Sequence, residues 1–194
     1  MGHMRLRLPQ FQCAATAIGA AILMMTLSAP PLGAQTADEM DALFAELAEP
    51  EGDAWMRAQS DIERAWSRSG SASLDFLLMR GEAALDAGDA LAAVGHLTAL
   101  TENAPDFASG WAARAVAFFM AGQTGPAAED LARALALEPR HWPSLTLLGA
   151  MLEDTGDTAR ALEAYRASLA INPHQEDAED GVTRLTTAQA GQGA

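Results

Sequence analysis

A chain of 194 residues with 49% apolar content fits one folded domain of ordinary size, which excludes a disordered chain and a large multidomain enzyme. Its 44 Ala, against six Phe and a single Tyr, favour closely packed helices over a sheet. All 12 basic residues are Arg, so Schiff-base chemistry, a P-loop lysine and a lysine base are excluded, and a net charge of -14 argues against a nucleic-acid surface, which needs clustered cations.

Arg5 and Arg7 precede a run from Leu8 to Ala37 without a charge, with an almost wholly apolar centre from Ala14 to Leu27. Pro30 and Pro31 then break any helix, and Leu32-Gly33-Ala34 offers a small-residue cleavage site. This order is that of a secretory signal peptide, assigned to residues 1–34 with removal after Ala34. The alternative is an uncleaved anchor, although the apolar centre is short of the roughly 20 residues of a full span. Cys13 reads as apolar filler within that run. Export leaves 10 Arg against 26 acids, a net charge of -16, with no Cys and hence no thiol nucleophile, disulfide or Cys-based zinc site. A periplasmic or secreted location follows, with no membrane span after cleavage.

Residues 35–73 hold two helical patterns, 38–48 and 53–69. Met40, Leu43, Phe44 and Leu47 share one face of the first; Trp55, Ile62, Ala65 and Trp66 share one of the second. They form either a degenerate repeat or, as favoured here, a hairpin that covers the first of the repeats beginning at residue 74.

From residue 74 a period of 34 organises the chain. It links Gly81, Ala115 and Gly149; Gly88, Gly122 and Gly156; Ala93, Ala127 and Ala161; Leu97, Leu131 and Tyr165; and Pro105, Pro139 and Pro173. Small residues let helices cross closely, and the second glycine column ends each first helix in a left-handed conformation. Asp89 and Asp157 are natural N-caps for the second helices, with Thr124 in that role in the middle, and the prolines stop them. The punctuation predicts helices over 74–86, 90–102, 108–121, 125–137, 142–154 and 158–170. Residues 176–188, acid-rich at the start, predict a final helix whose acids suit its dipole, followed by a frayed tail from Ala190.

These columns resemble the tetratricopeptide repeat (TPR), a helix, a turn and a second antiparallel helix. Trp111, Ala115 and Phe118 carry its pattern in the middle unit; Leu148, Gly149, Leu152, Ala161, Tyr165 and Pro173 carry it in the last. The resemblance implies an all-α solenoid, with repeats at 74–107, 108–141 and 142–175, a cap at 35–73 and a C-terminal helix and tail at 176–194. It also implies that the first helices line a concave groove that binds peptides. The groove-facing positions are Asp75, Leu78, Glu82 and Leu85, then Ser109, Ala112, Val116 and Phe119, then Thr146, Ala150 and Glu153. The other reading of Leu78, Val116 and Phe119 is packing between helices. Chaperone-binding members clamp an acidic tail with Lys, Arg and Asn; here acids or apolar residues stand in those places, so a basic or apolar segment is the expected ligand.

Catalytic signals are absent: no H-E-x-x-H, G-x-S-x-G, G-x-G-x-x-G or P-loop occurs. His141 and His174 fall in near-equivalent loops, too far apart for one metal, and read as solvated; His96 reads as a half-buried helix residue. Glu129-Asp130 and Glu153-Asp154 point in different directions and read as helix surface. The expectation is a non-catalytic interaction module without cofactor or metal, or else an accessory or substrate-recognition subunit of an envelope enzyme or assembly machine.

Overall fold

The computed structural model describes residues 36–49 and 51–192, and the signal-peptide assignment therefore lies outside the described residues. Described residues form helices only, in the order α1 (Ala37–Leu47), α2 (Ala54–Trp66), α3 (Ala72–Asp86), α4 (Ala90–Asn103), α5 (Ala108–Met120), α6 (Thr124–Leu137), α7 (Trp142–Asp154), α8 (Thr158–Ile171) and α9 (Glu176–Gln192). The chain is an all-α solenoid in which α3/α4, α5/α6 and α7/α8 stack as antiparallel pairs.

The repeated turn has one geometry. Gly88, Gly122 and Gly156 take φ of +75°, +73° and +80°, a region that costs a residue with a Cβ. The next residue's N–H reaches back five positions each time: Asp89 to the Ala84 carbonyl at 2.8 Å, Gln123 to Phe118 at 2.8 Å, and Asp157 to Leu152 at 2.9 Å. Asp89 and Asp157 then cap α4 and α8 by accepting from the Ala92 and Arg160 amides. Thr124 does not cap α6. The same register places Gln123 there, without a side-chain cap, and Thr124 is the first helical residue. Helices α4, α6 and α8 end two residues before Pro105, Pro139 and Pro173, as the prolines dictate.

The small-residue column works against the large residue of the partner helix. A Cβ on Gly81 would lie 2.5 Å from Leu97, and one on Gly149 would lie 2.7 Å from the Tyr165 ring. Gly181 of α9 meets the other edge of that ring at 2.6 Å. Tyr165 is thus clasped between two glycines, and α9 seals the last repeat through Ala178, Val182 and Leu185. Gly181→Ala is expected to destabilise by about 1–3 kcal/mol through overpacking, read as a lower urea midpoint. A midpoint equal to wild type would contradict the clasp. Helix α9 runs to Gln192, so the expected fraying from Ala190 is not seen over 190–192: the turn continues on backbone hydrogen bonds.

The N-terminal hairpin corrects the sequence reading. It does not cover the first repeat. Phe44, Leu47, Ala58 and Ile62 close instead on Trp142 of α7, with Met40, Leu43, Trp55, Trp66 and Ile171 packed around them. The seat is aromatic: Phe44 and Trp66 pack on Trp142, while Trp55 and Trp66 lie on the repeat-end histidines His174 and His141. Gly52, with φ of +87°, turns α1 into α2.

Candidate functional site

Helix α2 lies along the array with its two tryptophans eleven residues apart, about three turns. The histidines that receive them stand one repeat apart. Trp55 stacks flat on His174, ring centroids 4.0 Å apart and planes 8° from parallel. Trp66 lies 4.5 Å from His141 and 4.6 Å from Trp142. The buried Asn172 amide donates to the Gln59 side-chain carbonyl at 3.2 Å, and the His174 Nε2 donates to the Glu49 carbonyl at 2.9 Å. Arg140 binds Asp41 at 2.6 Å while its guanidinium sits 4.0 Å over the Phe44 ring.

Neither loop histidine is therefore solvated as the sequence suggested. His141 is buried, with Nδ1 2.8 Å from the Ser144 hydroxyl, and burial lowers its pKa from 6.5 to about 4. The fold holds the neutral ring, whereas the unfolded chain takes up a proton below 6.5. The stability this represents is complete above about pH 6.5 and is lost as pH falls to about 4, at most about 3 kcal/mol. Urea titrations at pH 7 and 4.5 are expected to show a smaller acid loss in His141→Gln than in wild type. An equal loss would show that His141 does not carry it.

Between α2 and the first helices of the repeats lies a cavity of about 400 Å³. Its walls include Leu78, Glu82 and Leu85 of α3, Ser109, Ala112 and Val116 of α5, Leu147 of α7, and Glu63 and Trp66 of α2. Six of the sequence-predicted groove residues thus converge, and Leu78 and Ala112 are also buried as packing residues. The lining contains no Arg. Burial, and then the nearby Asp86 charge, push the Glu82 carboxyl above its ordinary range, so its ionised form lacks a cation.

The other five predicted residues fall elsewhere. Thr146 and Ala150 line a second cavity, about 720 Å³, with Gln59, Tyr165, Asn172, Gln175 and Arg184 among its walls. Asp75 accepts from the Ser69 amide at 2.7 Å and the Ser69 hydroxyl at 2.6 Å, fixing the link between α2 and α3. Phe119 lines neither cavity and packs on the core of Ala115, Ala127, Leu131 and Met151, so the packing reading holds for it. Glu153 accepts from Arg184 at 2.6 and 2.8 Å and from the Tyr165 hydroxyl at 3.0 Å. The Arg184 bonds hold its carboxyl below the ordinary range, and burial with the Glu153 bond pushes Tyr165 up to about 12.

The hairpin wall escaped the sequence reading, although the match between the tryptophan spacing and the repeat-spaced histidines is a signal that could have found it. Asp130, read as helix surface, is buried against Arg114. Among the described residues no three His, Cys, Asp or Glu side chains come together as a metal site, and no helix is long and apolar enough to cross a membrane.

No protein-family model matches the chain. It is 29% identical over 153 residues to a TPR repeat-containing protein of Rhizobium etli, covering 78% of this chain and 75% of that one. The Sgt2 TPR domain of Aspergillus fumigatus superposes with a TM-score of 0.59 at 23% identity, over 63% of this chain and 83% of that one. The first TPR domain of Spaghetti (RPAP3), bound to the HSP90 peptide SRMEEVD, superposes with a TM-score of 0.57 at 20% identity, over 60% and 93%. The 34-residue columns, the stacked helix pairs and these likenesses agree: the chain has the fold of a tetratricopeptide-repeat solenoid.

Proposed function

We propose that this chain is a non-catalytic protein-interaction module that takes a basic or apolar peptide segment into the cavity between α2, α3, α5 and α7. The single observation that carries the reading is Glu82. Its carboxylate is solvent-exposed at the edge of a largely apolar wall, raised in pKa, and shares that wall with Glu63, with no Arg among the lining residues. A Lys or Arg side chain of a ligand supplies the missing countercharge, while Leu78, Leu85, Val116 and Leu147 accept apolar flanks. The TPR domain of Spaghetti is bound to SRMEEVD, which ends in Glu-Glu-Val-Asp. Such a tail lacks cationic partners here, because His141 is neutral and Arg114, Arg140 and Arg184 are engaged with Asp130, Asp41 and Glu153.

The reading extends to the cell envelope, where residues 1–34 act as the export signal. Intact mass of the protein from its native host checks this: a chain beginning at Gln35 supports export with cleavage, and a retained N-terminus supports the anchor. Ligand class is tested by titrating random, basic-apolar and acidic peptides by calorimetry. Basic-apolar peptides are expected to bind, with affinity falling about tenfold or more in Glu82→Arg. Preference for acidic peptides, or indifference to Glu82→Arg, overturns the reading.

A further inference from the structure

The 34-residue register identifies a stripe on each first helix: Phe76, Met79 and Ala83 on α3, Gly110, Ala113 and Ala117 on α5, and Ser144, Leu147 and Met151 on α7. On α5 and α7 this stripe is the joint with the preceding pair. A Cβ on Gly110 would lie 3.2 Å from Leu100, Ala117 is buried with Leu97 and Leu100, and Met151 is buried with Ala127 and Leu131. On α3 the same stripe is open: Phe76 is 54% and Met79 52% exposed, and Ala83 is exposed. The first repeat therefore presents an apolar joint with no helix pair on it.

A helix pair immediately precedes it in the chain. Five residues, 67–71, connect α2 to α3, against four between α4 and α5 and four between α6 and α7. The link is thus long enough for α1/α2 to stack on α3 as an ordinary preceding pair. The seat that the hairpin occupies instead carries a defect. The Trp66 indole Nε1 is buried there without a hydrogen-bond partner, a desolvation cost that exposure to water removes. Several of the polar contacts holding the hairpin, among them Arg140 with Asp41 and His174 with the Glu49 carbonyl, lie near the surface and contribute little.

We infer that the Phe76–Met79–Ala83 face is a second docking surface for the chain's own hairpin α1/α2, which exchanges between this end of the solenoid and its seat on Trp142, His141 and His174. On the end face the hairpin completes the array as a fourth pair. In that position it no longer walls the cavity at Glu63 and Trp66, and the concave surface of α5 and α7 opens along its length. The inference stands on the stripe, the linker and the unpaired indole, independently of what the groove binds.

The test is a distance measurement in the full chain with Cys13→Ser, spin-labelled at Ala45→Cys on α1 and Arg166→Cys on α8. Wild type is expected to show mainly the short, third-repeat distance. Arg140→Ala with His174→Ala removes the guanidinium over the Phe44 ring and the ring stacked on Trp55, and so loosens that seat without touching the repeat cores. It is expected to raise about tenfold the share of a second, narrow population, longer by at least about 10 Å, roughly one helix-to-helix spacing. Adding Phe76→Glu is expected to abolish that population while circular dichroism is unchanged. The inference is overturned if no second population forms, if it is broad, if Phe76→Glu leaves it in place, or if it grows with protein concentration, which would mean a second copy supplies the hairpin.

Discussion

Asp130→Ala is expected to destabilise the fold by about 3–5 kcal/mol. Asp130 of α6 accepts from the Arg114 guanidinium through both oxygens, at 2.7 and 2.8 Å, with side-chain exposures of 14% for Arg114 and 6% for Asp130. The same guanidinium donates to the Thr101 hydroxyl of α4 at 2.7 Å and lies 4.8 Å from the Trp111 ring and 5.5 Å from Phe118. One cation therefore ties the first repeat to both helices of the second. Removing the carboxylate leaves that cation among aromatic faces with only the neutral Thr101 and Thr98 hydroxyls, and the uncompensated charge rather than the lost attraction is the main cost. The matched pair Arg114→Met with Asp130→Leu, which removes both charges and keeps the volume, is expected to be much milder than either Asp130→Ala or Arg114→Met alone. Urea denaturation of the four proteins at pH 7 decides it. Single variants each within about 0.5 kcal/mol of wild type would mean that water reaches the pair and the repeats are joined by apolar packing alone.

That pair also marks the boundary between what was legible in the sequence and what was not. Period-34 columns act locally, each through a turn or a crossing of neighbouring helices, so Gly88, Gly122, Gly156 and the three prolines placed six helices to within about two residues. Asp130 sits outside any column, and only the three-dimensional neighbour Arg114, 16 residues away, distinguishes it from an exposed acid. Groove positions were legible to the degree that they follow the register: Leu78, Glu82, Leu85, Ser109, Ala112 and Val116 meet in one cavity. Phe119 and Glu153 obey the same register but are captured by partners, a core cluster and Arg184, that periodicity does not encode. The hairpin's position was least legible, because it depends on contacts such as Asn172 with Gln59, 113 residues apart, and a helical pattern carries no information on which of two apolar surfaces it selects.

Trp142→Ala bears on that choice. Trp142 is 3% exposed and meets Trp66 at 4.6 Å and Phe44 edge-on at 6.2 Å, so truncation removes the common floor of both hairpin helices. Loss of a buried tryptophan costs about 3–5 kcal/mol where the cavity cannot collapse. Here the loss is expected to fall unevenly, because this cluster holds the hairpin to the third repeat while separate clusters hold α3 to α6. Amide hydrogen exchange should show residues 37–66 opening at least about a hundredfold more often, with α5 and α6 protected as in wild type, since local units open with their own free energies. Uniform loss of protection across all repeats would mean that the hairpin and the solenoid unfold as one unit. A local loss would instead make Trp142 the residue that decides whether the concave face is covered, and in the same variant the affinity for basic-apolar peptides should fall, because the cavity beside Glu82 loses the α2 wall that carries Glu63 and Trp66.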